Sequence, residues 1–195
     1  MGLIAGGVSV SAPSQILLQP FSPEFGKLSG YYYGSGVTST TINHVMNEDS
    51  LHASPIILAQ RTSIDRLGVY ISTAVVASNI RLGLYASTSK TDLTPGALLA
   101  DSGNISSATT GAKTYTVALT LDAGVYWIVV MTSAPAVKCY GWDASTTPFS
   151  LAIDGLDGSS LCGYSTNQAF GVLPNPYPAG PTPESIDLYG MVRAV

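Results

Sequence analysis

The feature that most constrains this chain is a two-residue apolar period running through the segments able to form regular structure. Between Lys113 and Leu121, the side chains of Tyr115, Val117, Leu119 and Leu121 alternate with those of Thr114, Thr116, Ala118 and Thr120. Ile64 to Thr73 puts Leu67, Val69 and Ile71 on one face and Arg66, Gly68 and Tyr70 on the other. Asn79 to Ser87 sets Ile80, Leu82 and Leu84 against Arg81, Gly83 and Tyr85. Successive side chains of a strand point to opposite faces, so this period predicts half-buried strands. Val125 to Met131 is apolar on both faces, which predicts a central strand. Further strands are expected at Ile56–Leu58, Leu98–Asp101, Val137–Trp142 and Ile186–Arg193, with one or two short ones after Tyr31. No segment sustains a 3.6-residue apolar period, so very little helix is expected. The expectation is all-β: an antiparallel, jelly-roll-like β-sandwich of eight or so strands over residues 31–195.

The first thirty residues read differently. Met1 to Gly30 is rich in Gly, Ser and Pro, and prolines at 13, 20 and 23 preclude a regular helix across its one apolar stretch, Ile16-Leu17-Leu18. This predicts an extended N-terminal docking arm that orders on a neighbour. A second loop-rich stretch lies between Trp142 and Ile186 and contains DASTTP, DGLDGSS and LPNPYPAGPTPE.

Composition narrows the class of partner. Only 10% of residues are charged, against about 25% in typical soluble domains. Ser, Thr, Gly and Ala take the place of the missing charge, which suits a surface covered by copies of itself or by a larger assembly. A homo-oligomer, specifically a trimer, is therefore expected. The net charge is −4 with the eight basic residues scattered, so no patch could neutralise a phosphate backbone and nucleic-acid binding is not expected. The longest apolar run, Ala123 to Met131, is far short of the ~20 residues that span a bilayer, so no membrane insertion is expected. The start, MGLIAGGVSVSAPSQ, lacks a positive n-region, so no signal peptide is expected and cell lysis would serve for release.

The residues point to binding rather than catalysis. His44 and His52 lie near Glu48 and Asp49 in a segment that reads as a solvated loop, and no GxSxG elbow or phosphate-cradling glycine loop occurs. The acids stand singly in turns, so no enzyme, metal or cofactor is expected. Asp154-Gly-Leu-Asp157 has calcium-loop composition without full ligand spacing and reads as a turn. Cys139 and Cys162 leave two readings open, one disulfide or two buried thiols. Aromatic residues in polar contexts supply the candidate ligand or interface positions: Tyr31, Tyr32, Tyr33, Trp142 and Tyr164. Tyr140 and Tyr177 share that context.

The run DRLGVYIST, NIRLGLYASTSKTDLTPGALLADSG, TTGAKTYTVALTLDAGVYWIVV and, later, LPNPYPAG resembles a β-sandwich module of bacteriophage tail-fibre and other virion surface proteins. The similarity covers Ile64 to Gly180 and rests on Leu82, Leu84 and Tyr85, on Pro95-Gly96, and on Gly124-Tyr126-Trp127. These motifs are structural rather than catalytic. The chain departs from such fibres in having no coiled-coil heptads and no repeats. The resemblance implies a virion-surface protein made in the host cytoplasm. With its arm, the chain reads as a capsid decoration or cement protein held by the major capsid protein. The alternative is a tail-fibre or tail-tip module, held by tail proteins, that binds a host-surface glycan.

Overall fold

The computed structural model describes residues 29–30, 32–34, 42–143, 152–154, 159–184, 186–188 and 190–195. Among these there is no helix, and two antiparallel sheets pack face to face as a β-sandwich. The centre of sheet I is β4 (Thr62–Thr73), with β8 (Gly111–Leu121) along one side. The other side is shared by β16 (Met191–Ala194) and β10 (Lys138–Asp143). Beyond these lie β1 (Tyr32–Tyr33) on β16 and β2 (Ile42–Val45) on β10, while β15 (Ile186–Leu188) also pairs with β10. Sheet II runs β14 (Thr182–Glu184), β13 (Gly163–Asn167), β3 (Ser50–Leu58), β9 (Gly124–Thr132), β5 (Asn79–Ser87), β6 (Pro95–Asp101). A short β7 (Ile105–Ser106) extends the edge of β5, and β11 (Ala152–Asp154) with β12 (Ser159–Leu161) forms a separate hairpin.

The alternating strands behave as the period requires. Ile80, Leu82 and Leu84 of β5 meet Leu67, Val69 and Ile71 of β4 and Val117 of β8 in the inter-sheet core. A register shift between Ile64 and Arg66 lets Ile64 and Leu67, three residues apart, both face inward. Such a bulge adds one residue without turning the rest of the strand over.

The segment that is apolar on both faces has a more specific explanation. Ile128 and Val130 of β9 face the inter-sheet core, while Trp127, Val129 and Met131 face away from it into a second core. That second core is closed by Leu173 and Tyr177, from the Pro-rich segment read as loop. Residues 171–181 have no regular structure but lie across the outer face of sheet II as a strap. Its backbone is fastened at several points. Tyr85 Oη donates to Pro174 O at 2.8 Å, and the Tyr177 N–H donates to Gly96 O at 2.8 Å. The Leu98 N–H donates to Asn175 Oδ1 at 3.1 Å. Asp101 binds Arg81 through both oxygens, at 2.6 and 2.9 Å, and also accepts the Leu173 N–H at 3.2 Å. Burial would raise the Asp101 pKa, but these donors, Arg81 foremost, hold it below the usual carboxylate range.

Several expectations need correction. Ile186–Arg193 is not one strand: it divides into β15 on β10 and β16 on β4, because Gly190 lies against Ile128 where a Cβ would overlap the isoleucine. The stretch between Trp142 and Ile186 carries β11 to β14 besides loops, so there are sixteen strands among the described residues rather than eight or so. The histidine segment is not a solvated loop. His44 lies in β2 and His52, 3% exposed, in β3. Cys139 is a free thiol buried in the core, which removes the disulfide reading, and burial pushes its pKa up to about 12. The arm, apart from Ser29 and Gly30, and the Asp157 end of the DGLD turn lie outside the described residues.

Gly83 is where sheet and strap touch: a Cβ there would overlap Leu173 Cδ1. Gly83→Ala should lower stability by about 1–3 kcal/mol through overpacking, and Leu173→Ala by about 2–5 kcal/mol through loss of buried volume. The double variant should be more stable than the sum of the two predicts, because the smaller residue at 173 makes room for the new methyl. Urea unfolding of the four proteins measures this coupling, and strict additivity would show that Leu173 does not pack on Gly83.

Candidate functional site

The outer faces of the two sheets differ in kind. That of sheet II is covered by the strap. On sheet I, the alternation of β4 forces Tyr70 outward because Val69 and Ile71 are buried, and it stays 42% exposed. On β10, Tyr140 follows buried Cys139 and so also points outward. The two rings stack at 4.7 Å with only 8° between their planes. Tyr32 of β1, 39% exposed, approaches from the other side over Gly68, whose missing side chain leaves it room. The Arg193 guanidinium lies 6.0 Å from the Tyr32 ring and is held in place by a bidentate pair with Asp65. That pairing, through its hydrogen bonds first, keeps the Asp65 pKa low. Together Tyr32, Gly68, Tyr70, Tyr140 and Met191, with Ala112 and Thr114 of β8, line an open groove of 380 Å³. It offers flat aromatic faces in an almost wholly apolar lining, suited to stacking. Nothing in it provides a nucleophile with a base.

The candidate residues are therefore not brought together. Tyr32 is in the groove. Tyr33, one residue on, faces the opposite way and packs against the inter-sheet core. Tyr164 is on the other sheet, its ring 5.2 Å from Trp127, and it lines a 790 Å³ groove beside the strap with Thr88, Asp92 and Pro181. Tyr31 and the Trp142 side chain lie outside the described residues, although the Trp142 backbone pairs with Asp187 in sheet I. Tyr70 was the omission. Its outward position could be read from its place between Val69 and Ile71, but its encounter with Tyr140 depends on a pairing between residues 65 and 68 positions apart.

The histidines form a separate, closed cluster where β2 faces β3. Their rings meet edge to face at 5.7 Å, and His52 Nδ1 lies 3.1 Å from Glu184 Oε2. Both Nε2 atoms are buried with no hydrogen-bond partner. Among the described residues, no group of three or more His, Cys, Asp or Glu side chains is arranged to hold a metal. Burial, and then the neighbouring His52, lower the His44 pKa. Burial alone would raise Glu184, but His52, by hydrogen bond and charge, together with Ser165 and His44, holds it low.

A scan against protein-family models and a search of curated proteins give no match to this chain.

The two lowered pKa values act in the same direction. A group whose native pKa is depressed takes up its proton first in the unfolded state, so acid favours unfolding. The contribution of His44 is complete above its ordinary value of 6.5 and is lost as pH falls below it. That of Glu184 is complete above 4.5 and is lost below. The melting temperature should therefore fall between pH 7.5 and 5.5, and His44→Asn should flatten that part of the profile. An unchanged slope in the variant would show that His44 does not carry the effect.

Proposed function

We propose that this chain is a non-enzymatic surface protein of a bacteriophage particle, a decoration or cement protein displayed on the virion. It attaches through the arm of residues 1–30 and the tyrosine face of sheet I, and it packs beside further copies on the major capsid protein. The observation that carries this reading is the position of Tyr32. It lies in β1, two residues after the arm in sequence, and is itself a wall of the exposed aromatic groove. Exposed aromatics of this kind are the usual anchors of protein interfaces. The low charge of the chain supports a covered surface. The resemblance to virion modules supports the location: of its positions, Tyr85, Gly96 and Trp127 meet the strap, and Leu82 and Leu84 lie in the inter-sheet core. The histidines, enclosed between the sheets, support a non-catalytic role.

The flat Tyr70–Tyr140 stack favours one second reading, a tail-tip module whose groove takes a pyranose ring of a host-surface glycan. The groove volume of 380 Å³ is within the range of small-ligand sites, roughly 300–1,000 Å³.

Co-sedimentation of the purified chain with particles lacking it tests both. Deleting residues 1–25 should abolish association while leaving the thermal transition of the sandwich in place. Tyr70→Ala should weaken it about 30-fold, the effect of losing one anchor worth about 2 kcal/mol. Association that survives the deletion removes the arm-docked reading. Glycan-array binding that survives the deletion but is lost in Tyr70→Ala would establish the tail-tip reading.

A further inference from the structure

An antiparallel sandwich has free strand edges, and each is a template for pairing with another chain unless something blocks it. In this fold nearly every edge is blocked. On sheet II, β14 is three residues long and contains Pro183, which has no N–H to offer. At the other side, β6 begins with Pro95, and its outward Leu98 N–H and Gly96 carbonyl are already bonded to Asn175 and Tyr177 of the strap. On sheet I, β1 is two residues long and β2 four.

The exception is β8. It runs for eleven residues, Gly111–Leu121, and pairs with β4 along one side only. No proline interrupts it, its only charge is Lys113, and among the described residues nothing covers its second side. The core beneath that edge is also open. Tyr115 and Leu119 are only partly buried against it, and with Leu99 of β6, 37% exposed, and Val117 they line a groove of 410 Å³ between the sheets.

We propose that β8 is a self-association edge, and that its occupant is β8 of a second copy, paired antiparallel about a two-fold axis to join two copies of sheet I into one continuous sheet. The strand is complementary to itself. Turned end for end about Val117, it sets Thr114 against Thr120 and Thr116 against Ala118 on the outer face, and on the inner face Tyr115 against Leu119 with Val117 on its own counterpart. The two-fold brings the Lys113 end of one copy to the Leu121–Asp122 end of the other, so unlike charges approach and like charges do not. It also sets the two open grooves side by side and closes both with apolar side chains. An isologous contact of this kind gives a closed dimer, and a third copy has no place in it. The pairing leaves the tyrosine groove open, so it stands whether or not that groove binds a particle.

Thr116 and Ala118 are exposed, face outward and meet across the two-fold, and changing them costs only the exposed hydrogen bond that Arg66 donates to Thr116 Oγ1. Light scattering coupled to size exclusion should give the full-length chain twice its 20.2 kDa mass. The double variants Thr116→Lys/Ala118→Lys and Thr116→Glu/Ala118→Glu should each run as monomers with an unchanged far-UV spectrum. Mixed in equal amounts, they should return to the dimer mass, because opposite charges then face each other. That recovery separates loss of pairing from loss of folding. A monomeric parent chain, a trimeric one, or a dimer that survives the paired lysines would overturn the proposal.

Discussion

The structure depends on one strand being apolar on both faces. β9 runs through the middle of sheet II with Ile128 and Val130 in one core and Trp127, Val129 and Met131 in another. Ordinary sandwich packing covers only the first set. A second layer is needed over the other, and the chain supplies it with a strap rather than a third sheet or a helix. Proline suits a strap because its fixed φ reduces the freedom lost on ordering, and its missing N–H removes a donor that would otherwise need a partner. Four of the strap's polar groups bond to Tyr85, Gly96, Leu98 and Asp101, while the buried Tyr177 Oη has no hydrogen-bond partner. The Trp127 indole N–H is satisfied by Ser87 Oγ at 3.1 Å.

That arrangement also decides which surface remains for partners. One side of the sandwich is closed by the strap, and on the other Tyr70 and Tyr140 stack at the surface. Gly68 matters there for what it lacks, since its place in β4 opens the floor over which Tyr32 lies. Beside the aromatic rings β8 presents Ala112, Thr114, Ala118 and Thr120, all uncharged.

The period of two made β4, β5 and β8 legible from sequence, because each has one face in the inter-sheet core and one outside it. Period also identified β9 as central, though not what covers its second face. The strap was not legible as structure: LPNPYPAG has loop composition, and only its long-range contacts make it part of a core. His52 was misread for a related reason. Ser50, His52 and Ser54 alternate with Leu51 and Ala53, but the polar set is the one facing between the sheets, towards Glu184 and the end of the sandwich. Polarity there signals a buried partner, Glu184 at His52 Nδ1, rather than solvent, although the Nε2 atom of His52 has no partner. Of the candidate aromatics, Tyr32 lines the groove, whereas the Tyr70–Tyr140 stack depends on the crossing from β4 to β10, which no local pattern encodes.

The pairing of β1 with β16 has a mechanical meaning. Tyr32 lies opposite Arg193, the Gly30 N–H donates to Ala194 O, and the Val195 N–H donates to Ser63 O, so the arm and the last residues leave the fold at neighbouring points. A load applied between them acts across the strands and opens their hydrogen bonds one after another, as in a zipper. A load between the arm and the far side of the sheet acts along the strands and strains many bonds at once. The fold therefore resists pulling unequally, yielding first where its two ends are drawn apart and holding where the arm is pulled against the rest of the sandwich.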